Sequence, residues 1–180
     1  LEIYAHPICL QIMSDRVNQF EKADLISIDG SEKMHVRSHC INAGDIVNIG
    51  KYKVKAIESA HDVKHESLLY FVSEKGKNLL YATDTPPLTE NALSQLSNIK
   101  LDIVIMDHTF GNVDYSFSHL NEKLFMEQID KLKQVGCISN DTQIFGTHIS
   151  HDGMGYHEMI EERALSNGYH IAYDGMNLEI

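Results

Sequence analysis

The sequence YATDTP, residues Tyr81–Pro86, continues an apolar run that begins at Leu79 and has the composition of a β-strand. The run stops at the carboxylate of Asp84, and the two prolines at 86 and 87 cannot extend a strand ladder, because proline has no backbone N–H. A carboxylate held where a strand gives way to a loop is well placed to be a metal ligand or a catalytic acid. Taken alone, an aspartate in this position is more often an ordinary turn residue.

Two other segments repeat this arrangement. The strand-like run 54–60 leads into His61, and the run 144–147 leads into His148. Imidazole and carboxylate groups suit Zn²⁺, Mn²⁺ or Fe²⁺. Three strands that each end in such a group predict one metal site at one edge of a sheet, with His61, Asp84 and His148 as ligands. If two ions were bound, the two oxygens of Asp84 could bridge them.

The overall composition narrows the class of protein. The chain has 180 residues, enough for one domain with a sizeable core, and its formal net charge is -11. Such a charge repels polyanions, so extended nucleic acid is a disfavoured partner. No apolar run reaches the roughly 20 residues of a membrane helix. No signal peptide is visible, and the three cysteines form no Cys-x-x-Cys pair, so we expect a cytoplasmic protein with reduced thiols that does not bind membranes.

Apolar and turn patterns predict a β-rich first half followed by alternating strands and helices. Strands are predicted at 1–5, 45–49, 52–59, 67–73, 78–83, 103–106, 143–146, 169–173 and 176–180, and helices at 9–20, 90–96, 119–134 and 156–165. This order favours an α/β fold in one domain, residues 1–180, with sheets covered by helices on the outside.

Further histidines lie near the three predicted ligands in sequence. His119 is placed at the start of the longest predicted helix, where free N–H groups favour a phosphate. A histidine there can bind the anion or give a proton to a leaving group. His151 follows His148 by three residues in the segment THISH. His65 and His108 are expected at the surface or behind the ligands.

Five segments together resemble the metallo-β-lactamase superfamily: AH at 60–61, SLLY at 67–70, YATDT at 81–85, THISH at 147–151 and YDGM at 173–176. Within it, their order and approximate spacing are most similar to the PhnP-type phosphodiesterases, which hydrolyse cyclic phosphates. The THISH segment and the DGM ending are the most specific parts. The resemblance implies an αββα sandwich and a hydrolase with two divalent metal ions, Zn²⁺ or Mn²⁺, in its active site.

The resemblance also implies a role for each residue. His61 matches a ligand of one metal, His148 a ligand of the other, and Asp84 the bridging aspartate. His119 matches a histidine that contacts the substrate phosphate near the leaving group, and His151 resembles a partner that supports His148 from behind. In such an enzyme a metal-bound hydroxide attacks phosphorus, and a small or cyclic phosphodiester is the expected substrate.

One family motif is not found in the sequence. The His-x-His-x-Asp-His loop supplies most of the remaining metal ligands and precedes these segments in the family. Residues 1–5 look like the strand that comes after it. We therefore expect the chain to be the C-terminal portion of the family domain, incomplete at its N-terminus, with impaired catalysis.

Two alternatives stay open. The first is another activity of the superfamily: a tRNase Z-type ribonuclease, for which no Lys/Arg-rich docking insertion is present, or a lactone or thioester hydrolase, which needs no phosphate-binding His119. The second is a non-catalytic domain that works by association through an exposed apolar surface, for example as a homodimer.

Overall fold

The structure is a computed structural model that describes residues 1–22, 26–33, 35–62, 66–151 and 155–179. Its described part contains nine strands and four helices. In chain order they are β1 Glu2–Ala5, α1 Pro7–Glu21, β2 Arg37–Cys40, β3 Ile46–Ile49, β4 Tyr52–Ser59, β5 Ser67–Glu74, β6 Lys77–Ala82, α2 Glu90–Leu96, β7 Ile103–Asp107, α3 Glu122–Gln134, β8 Gln143–Thr147, α4 His157–Ser166 and β9 His170–Ile171. None of the described helices is long and apolar enough to cross a membrane.

Seven strands form one mixed sheet in the order β3-β4-β5-β6-β7-β8-β9. The strands β3 to β6 pair in antiparallel fashion, with tight turns between β3 and β4 and between β5 and β6. The strands β6 to β9 pair in parallel through helical crossovers. Since β4 and β6 are both antiparallel to β5, the carboxyl ends of β4, β6, β7 and β8 all lie at the same edge. The loops that follow these four strands therefore meet there.

The hydrophobic core lies between this sheet and the helices α2, α3 and α4. Leu80 and Met106 point into it from neighbouring strands, and Leu96, Phe125 and Ala164 enter it from the three helices. All five are fully buried. These contacts hold the central strands rigidly and so fix the positions of the residues at their ends.

The opposite face of the large sheet meets a second, smaller layer. Strands β1 and β2 form a two-stranded parallel sheet, and α1 packs against β2. A groove of about 420 Å³ separates the two sheets, and Tyr4, Ile41, Val54, Tyr70 and Tyr81 contribute to its mostly apolar lining. The order helices, large sheet, small sheet, helix confirms the predicted αββα layering, with a second sheet of two strands in the described part.

Most predicted elements form within one or two residues of their expected bounds, but two predictions were wrong. The long helix begins at Glu122 and not at residue 119, because the Asn121 side chain accepts a hydrogen bond from the Leu124 N–H and caps the helix there. The last strand is only His170–Ile171, and residues 176–179 are not in a strand. The chain turns at Gly175 (φ 86), and β9 already forms the end of the sheet.

Candidate metal centre

The predicted ligands follow the carboxyl ends of three strands, and two of them have an unusual backbone conformation. Asp84 follows β6 with φ 55, and His148 follows β8 with φ 63. Left-handed φ values are uncommon outside glycine, although Asp and His tolerate them better than most residues. Such strain is often found at functional sites. Here it turns both side chains out of the strand direction at the same sheet edge.

The structure brings the predicted ligands together around one carboxylate. The Nε2 atom of His61 lies 3.1 Å from Oδ1 of Asp84. The Nε2 atom of His148 lies 3.9 Å from the same oxygen. The His119 ring contacts both other imidazoles, with its centroid 4.8 Å from that of His61 and 5.2 Å from that of His148. Four side chains that are distant in sequence therefore form one cluster.

The hydrogen bond of His61 tests whether a cation fits this cluster. Its Nδ1 lies 2.9 Å from the Ser118 carbonyl oxygen, which can only accept, so Nδ1 carries the proton. In the neutral ring the Nε2 lone pair then faces the Asp84 carboxylate at 3.1 Å. Two electron-rich atoms at this distance need a proton or a metal ion between them. Atoms that each lie about 2.0–2.2 Å from one ion have a comparable separation, so the donor set fits a divalent metal.

Asp107 is the most deeply buried member of the site. Its side chain is 0% exposed. Oδ1 accepts hydrogen bonds from the backbone N–H groups of Thr109 and Leu120, at 3.1 and 3.0 Å. Oδ2 accepts from His119 Nδ1 at 2.9 Å, from the Thr109 hydroxyl at 3.2 Å and from the Thr85 N–H at 3.3 Å. Five donors surround this carboxylate, so it holds the site together.

A grouping by distance alone gives a slightly different ligand set. One potential ligand atom from each of Asp84, Asp107, His119 and His148 lies within 4.8 Å of the others. We assign Asp107 a supporting role, because both its oxygens already accept hydrogen bonds from the protein. His61 replaces it as a potential ligand, because its Nε2 is directed at Asp84.

Sequence reasoning missed the role of Asp107. The predicted strand 103–106 stops just before this residue, and no role was predicted for it. A signal was present, because a carboxylate at the end of a strand between β6 and β8 must lie at the same edge as Asp84 and His148. The strand order that makes this inference possible is not visible in the sequence.

His119 lies in the site but not at a helix N-terminus. Residues 118–120 precede the helix cap, and the Leu120 N–H is bonded to Asp107. The argument that helix N–H groups help His119 to bind an anion is therefore wrong. Its position depends instead on the hydrogen bond from Nδ1 to Asp107, which leaves Nε2 available to a ligand.

The remaining histidines lie in different environments. His108 is 1% exposed and lies behind the site, which is one of the two positions expected for it. Its Nε2 is 2.9 Å from the Tyr169 hydroxyl, and burial lowers the pKa of His108 and raises the pKa of Tyr169. His151 is exposed, and its supporting role stays a prediction. His65 lies outside the described residues.

Comparison with solved structures identifies the fold. YhfI from Bacillus subtilis, described as a metallo-β-lactamase fold protein, matches 98% of this chain and 64% of its own, with a TM-score of 0.63 and 17% identity. Yeast PDE1 matches 97% of this chain and 58% of its own, with a TM-score of 0.68 and 14% identity. Zn²⁺-bound PqqB from Methylobacterium extorquens matches 100% of this chain and 65% of its own, with a TM-score of 0.58 and 16% identity. The chain has the metallo-β-lactamase fold.

The chain spans less than two thirds of the length of each of these three proteins. No protein-family model matches the sequence, and no curated protein is significantly similar to it. At 14–17% identity the likeness concerns the fold. The assignment of an activity must therefore come from the site itself.

Proposed function

We propose that the chain carries, at one edge of its large sheet, catalytic residues of a metal-dependent hydrolase that cleaves small or cyclic phosphodiesters. The observation that carries the proposal is the convergence of His61, His148 and His119 on Asp84, with His119 held by a buried carboxylate. A metal ion can polarise the phosphoryl group and activate water, and an oriented histidine beside it can assist the leaving oxygen. The resemblance of the sequence to PhnP-type phosphodiesterases supports the same activity.

The residues divide into metal-holding and substrate-facing groups. Nε2 of His61, Nε2 of His148 and the carboxylate of Asp84 would hold Zn²⁺ or Mn²⁺. A bound ion supplies Lewis acidity to a phosphoryl oxygen and to the attacking water. His119 donates a hydrogen bond from Nδ1 to Asp107. When the ring is protonated on both nitrogens, its Nε2–H can bind a phosphoryl oxygen or give its proton to the leaving oxygen. The Asp107 bond fixes the ring within the cluster, where it contacts the imidazoles of His61 and His148.

Charge and exposure favour a small substrate. Asp84 and His148 are about half exposed, whereas His119 and Asp107 lie deeper, so the cluster opens to solvent on one side. The net charge of -11 disfavours a long polyanion such as tRNA. A phosphodiester with one negative charge carries a far smaller electrostatic cost, and a bound cation offsets that cost locally.

The proposal is tested by metal content and hydrolysis measured together. The purified chain, loaded with Mn²⁺ or Zn²⁺, is assayed against bis(p-nitrophenyl) phosphate, a 2′,3′-cyclic nucleotide, a lactone and a thioester. We expect cleavage of the phosphodiesters, reduced about 10²–10⁴-fold in kcat by His119→Ala. His170→Ala is the matched control, because His170 is an exposed histidine that pairs with Glu161 and makes no contact with the cluster among the interactions described.

Each contrary result points to a different alternative. Hydrolysis of the lactone or thioester that persists in His119→Ala contradicts phosphodiesterase activity and favours an ester hydrolase. A chain that binds metal and leaves the whole panel intact contradicts the proposed activity for this chain. A chain that binds no metal favours the non-catalytic alternative.

A further inference from the structure

The hydroxyl of Thr109 lies at the centre of the histidine cluster. It is 2.7 Å from Nδ1 of His148, 3.2 Å from Nδ1 of His119 and 3.2 Å from Oδ2 of Asp107. Thr109 is buried, with 7% of its surface exposed. It lies two residues after the end of β7, and its own N–H is bonded to the other Asp107 oxygen. The hydroxyl therefore has a fixed position between two imidazoles and a carboxylate.

The position of one proton follows from these contacts. The Thr109 hydroxyl and Oδ2 of Asp107 form a hydrogen bond of 3.2 Å, and the carboxylate has no proton to give. The hydroxyl proton therefore points to Asp107. The Thr109 oxygen can then only accept at its contact with His148, which is the shortest of the three at 2.7 Å. His148 must carry its proton on Nδ1.

We propose that Thr109 is a positioning residue that fixes His148 in the Nδ1–H tautomer and so keeps its Nε2 lone pair directed at the metal site. The proton chain runs from His148 Nδ1–H to the Thr109 oxygen, and from the Thr109 hydroxyl to Asp107. His119 donates from Nδ1 to the same carboxylate oxygen. One buried carboxylate thus sets the tautomers of two imidazoles, one directly and one through Thr109.

The direct alternative is blocked by distance. Nδ1 of His148 lies 3.6 Å from Oδ2 of Asp107, too far for a hydrogen bond without movement of the ring. The threonine side chain fills the intervening space. Outer hydrogen bonds of this kind orient metal-binding histidines and typically contribute 10–100-fold to metal affinity. The inference rests on the metal-binding part of the proposed function and does not depend on the substrate.

The test compares Thr109→Val with Thr109→Ser. Valine keeps the shape and removes the hydroxyl, whereas serine restores the hydroxyl. In the metal-free chain, labelled with ¹⁵N-histidine and held at about pH 8, above the ordinary histidine pKa, long-range ¹H–¹⁵N spectra report the tautomer of each ring. The signals of His148 are those missing from His148→Gln. We expect an Nδ1–H tautomer in the unmodified chain and in Thr109→Ser, and a mixture or the Nε2–H tautomer in Thr109→Val.

Zn²⁺ affinity gives a second readout, measured by competition with a chromogenic chelator. We expect Thr109→Val to weaken binding by about 10–100-fold and Thr109→Ser to remain close to the unmodified chain. Thr142→Val is the matched control. Thr142 lies just before β8, the strand that His148 follows, and its hydroxyl donates a hydrogen bond to the Leu101 carbonyl. Circular dichroism confirms that each variant is folded.

Two results would overturn the inference. The first is an Nε2–H tautomer of His148 in the unmodified metal-free chain. The second is a folded Thr109→Val variant with unchanged His148 tautomer. Because the tautomer is read without metal or substrate, neither result depends on hydrolysis. Failure of phosphodiester cleavage with the expected tautomers would count against the proposed activity alone.

Discussion

Replacement of Asp107 by asparagine is the most informative single change to the site. The two side chains have nearly the same shape, so packing is preserved. The amide, however, offers one acceptor oxygen and one N–H₂ donor where the carboxylate offers two acceptors. Whichever way the amide is turned, its N–H₂ group faces donors that now bond to a carboxylate oxygen.

The magnitude follows from the contacts of Asp107. With the amide oxygen placed at Oδ1, the N–H groups of Thr109 and Leu120 keep their acceptor. The Thr85 N–H then loses its partner in a buried position, and His119 loses its bond to a charged group. An orphaned buried donor costs about 1–3 kcal/mol and a hydrogen bond to a charged group contributes about 1.5–3 kcal/mol. We therefore expect a loss of about 2.5–6 kcal/mol in the free energy of unfolding.

The assay is urea unfolding at neutral pH with a chelator present, so that bound metal does not add to stability. The chain has eight tyrosines and no tryptophan, so tyrosine fluorescence and circular dichroism are suitable probes. Asp102→Asn is the matched control at the opposite end of β7. Asp102 is partly exposed and accepts from Lys77 and the Asn78 N–H, so its replacement should cost about 1 kcal/mol or less.

The reasoning is tested by the difference in the free energy of unfolding between Asp107→Asn and Asp102→Asn. If Asp107→Asn unfolds at the same urea concentration as Asp102→Asn, the buried carboxylate does not hold the site together. The ¹⁵N spectrum of His119 gives an independent check. An amide N–H₂ next to Nδ1 favours the tautomer protonated on Nε2, so an unchanged His119 tautomer would also contradict the reasoning.

Two further predictions concern the region behind the site. A Cβ added at Gly146 would lie 3.1–3.2 Å from three atoms of the His108 ring and side chain, so Gly146→Ala should lower the free energy of unfolding by about 1–3 kcal/mol; an alanine variant as stable as the parent in urea would contradict this packing. Burial lowers the pKa of His108 below its usual 6.5, so the unfolded chain binds this proton more readily. The stability that the neutral ring contributes is complete above pH 6.5 and is lost as the pH falls below it. Thermal unfolding from pH 8 to pH 5 should therefore show a weaker acid destabilisation in His108→Asn than in the parent, and an equal acid destabilisation of the two chains would contradict this expectation.

The sequence predicted the elements well where local physics controls them. Helix α2 begins and ends at the predicted residues, because the Thr89 side chain accepts from the Ala92 N–H and caps it. The hairpin turns at Gly50 and Gly76 require positive φ, and both glycines adopt it. The alternation of strands and helices in the second half was also visible, and it led to the correct αββα layering. Strand periodicity, caps and turns are short-range properties and can be read from short-range patterns.

The candidate ligands were also found from sequence, because strand ends are local features too. His61, Asp84 and His148 were placed in one site by the assumption that three strand ends share one sheet edge. The structure brings them together. Their roles as metal ligands stay predictions until metal binding is measured.

What the tertiary structure alone decided is the network behind these residues. Asp107, Thr109 and His119 are neighbours in space because β7 lies between β6 and β8 and because the chain segment 118–120 folds back onto the end of β7. Nothing in the local sequence distinguishes Asp107 from a turn residue or places Thr109 against His148. A hydrogen bond between residues far apart in the chain depends on the strand order and on a donor–acceptor distance that is correct to a few tenths of an ångström. Both are fixed only when the whole core is packed, because hydrogen bonds are short-range and directional.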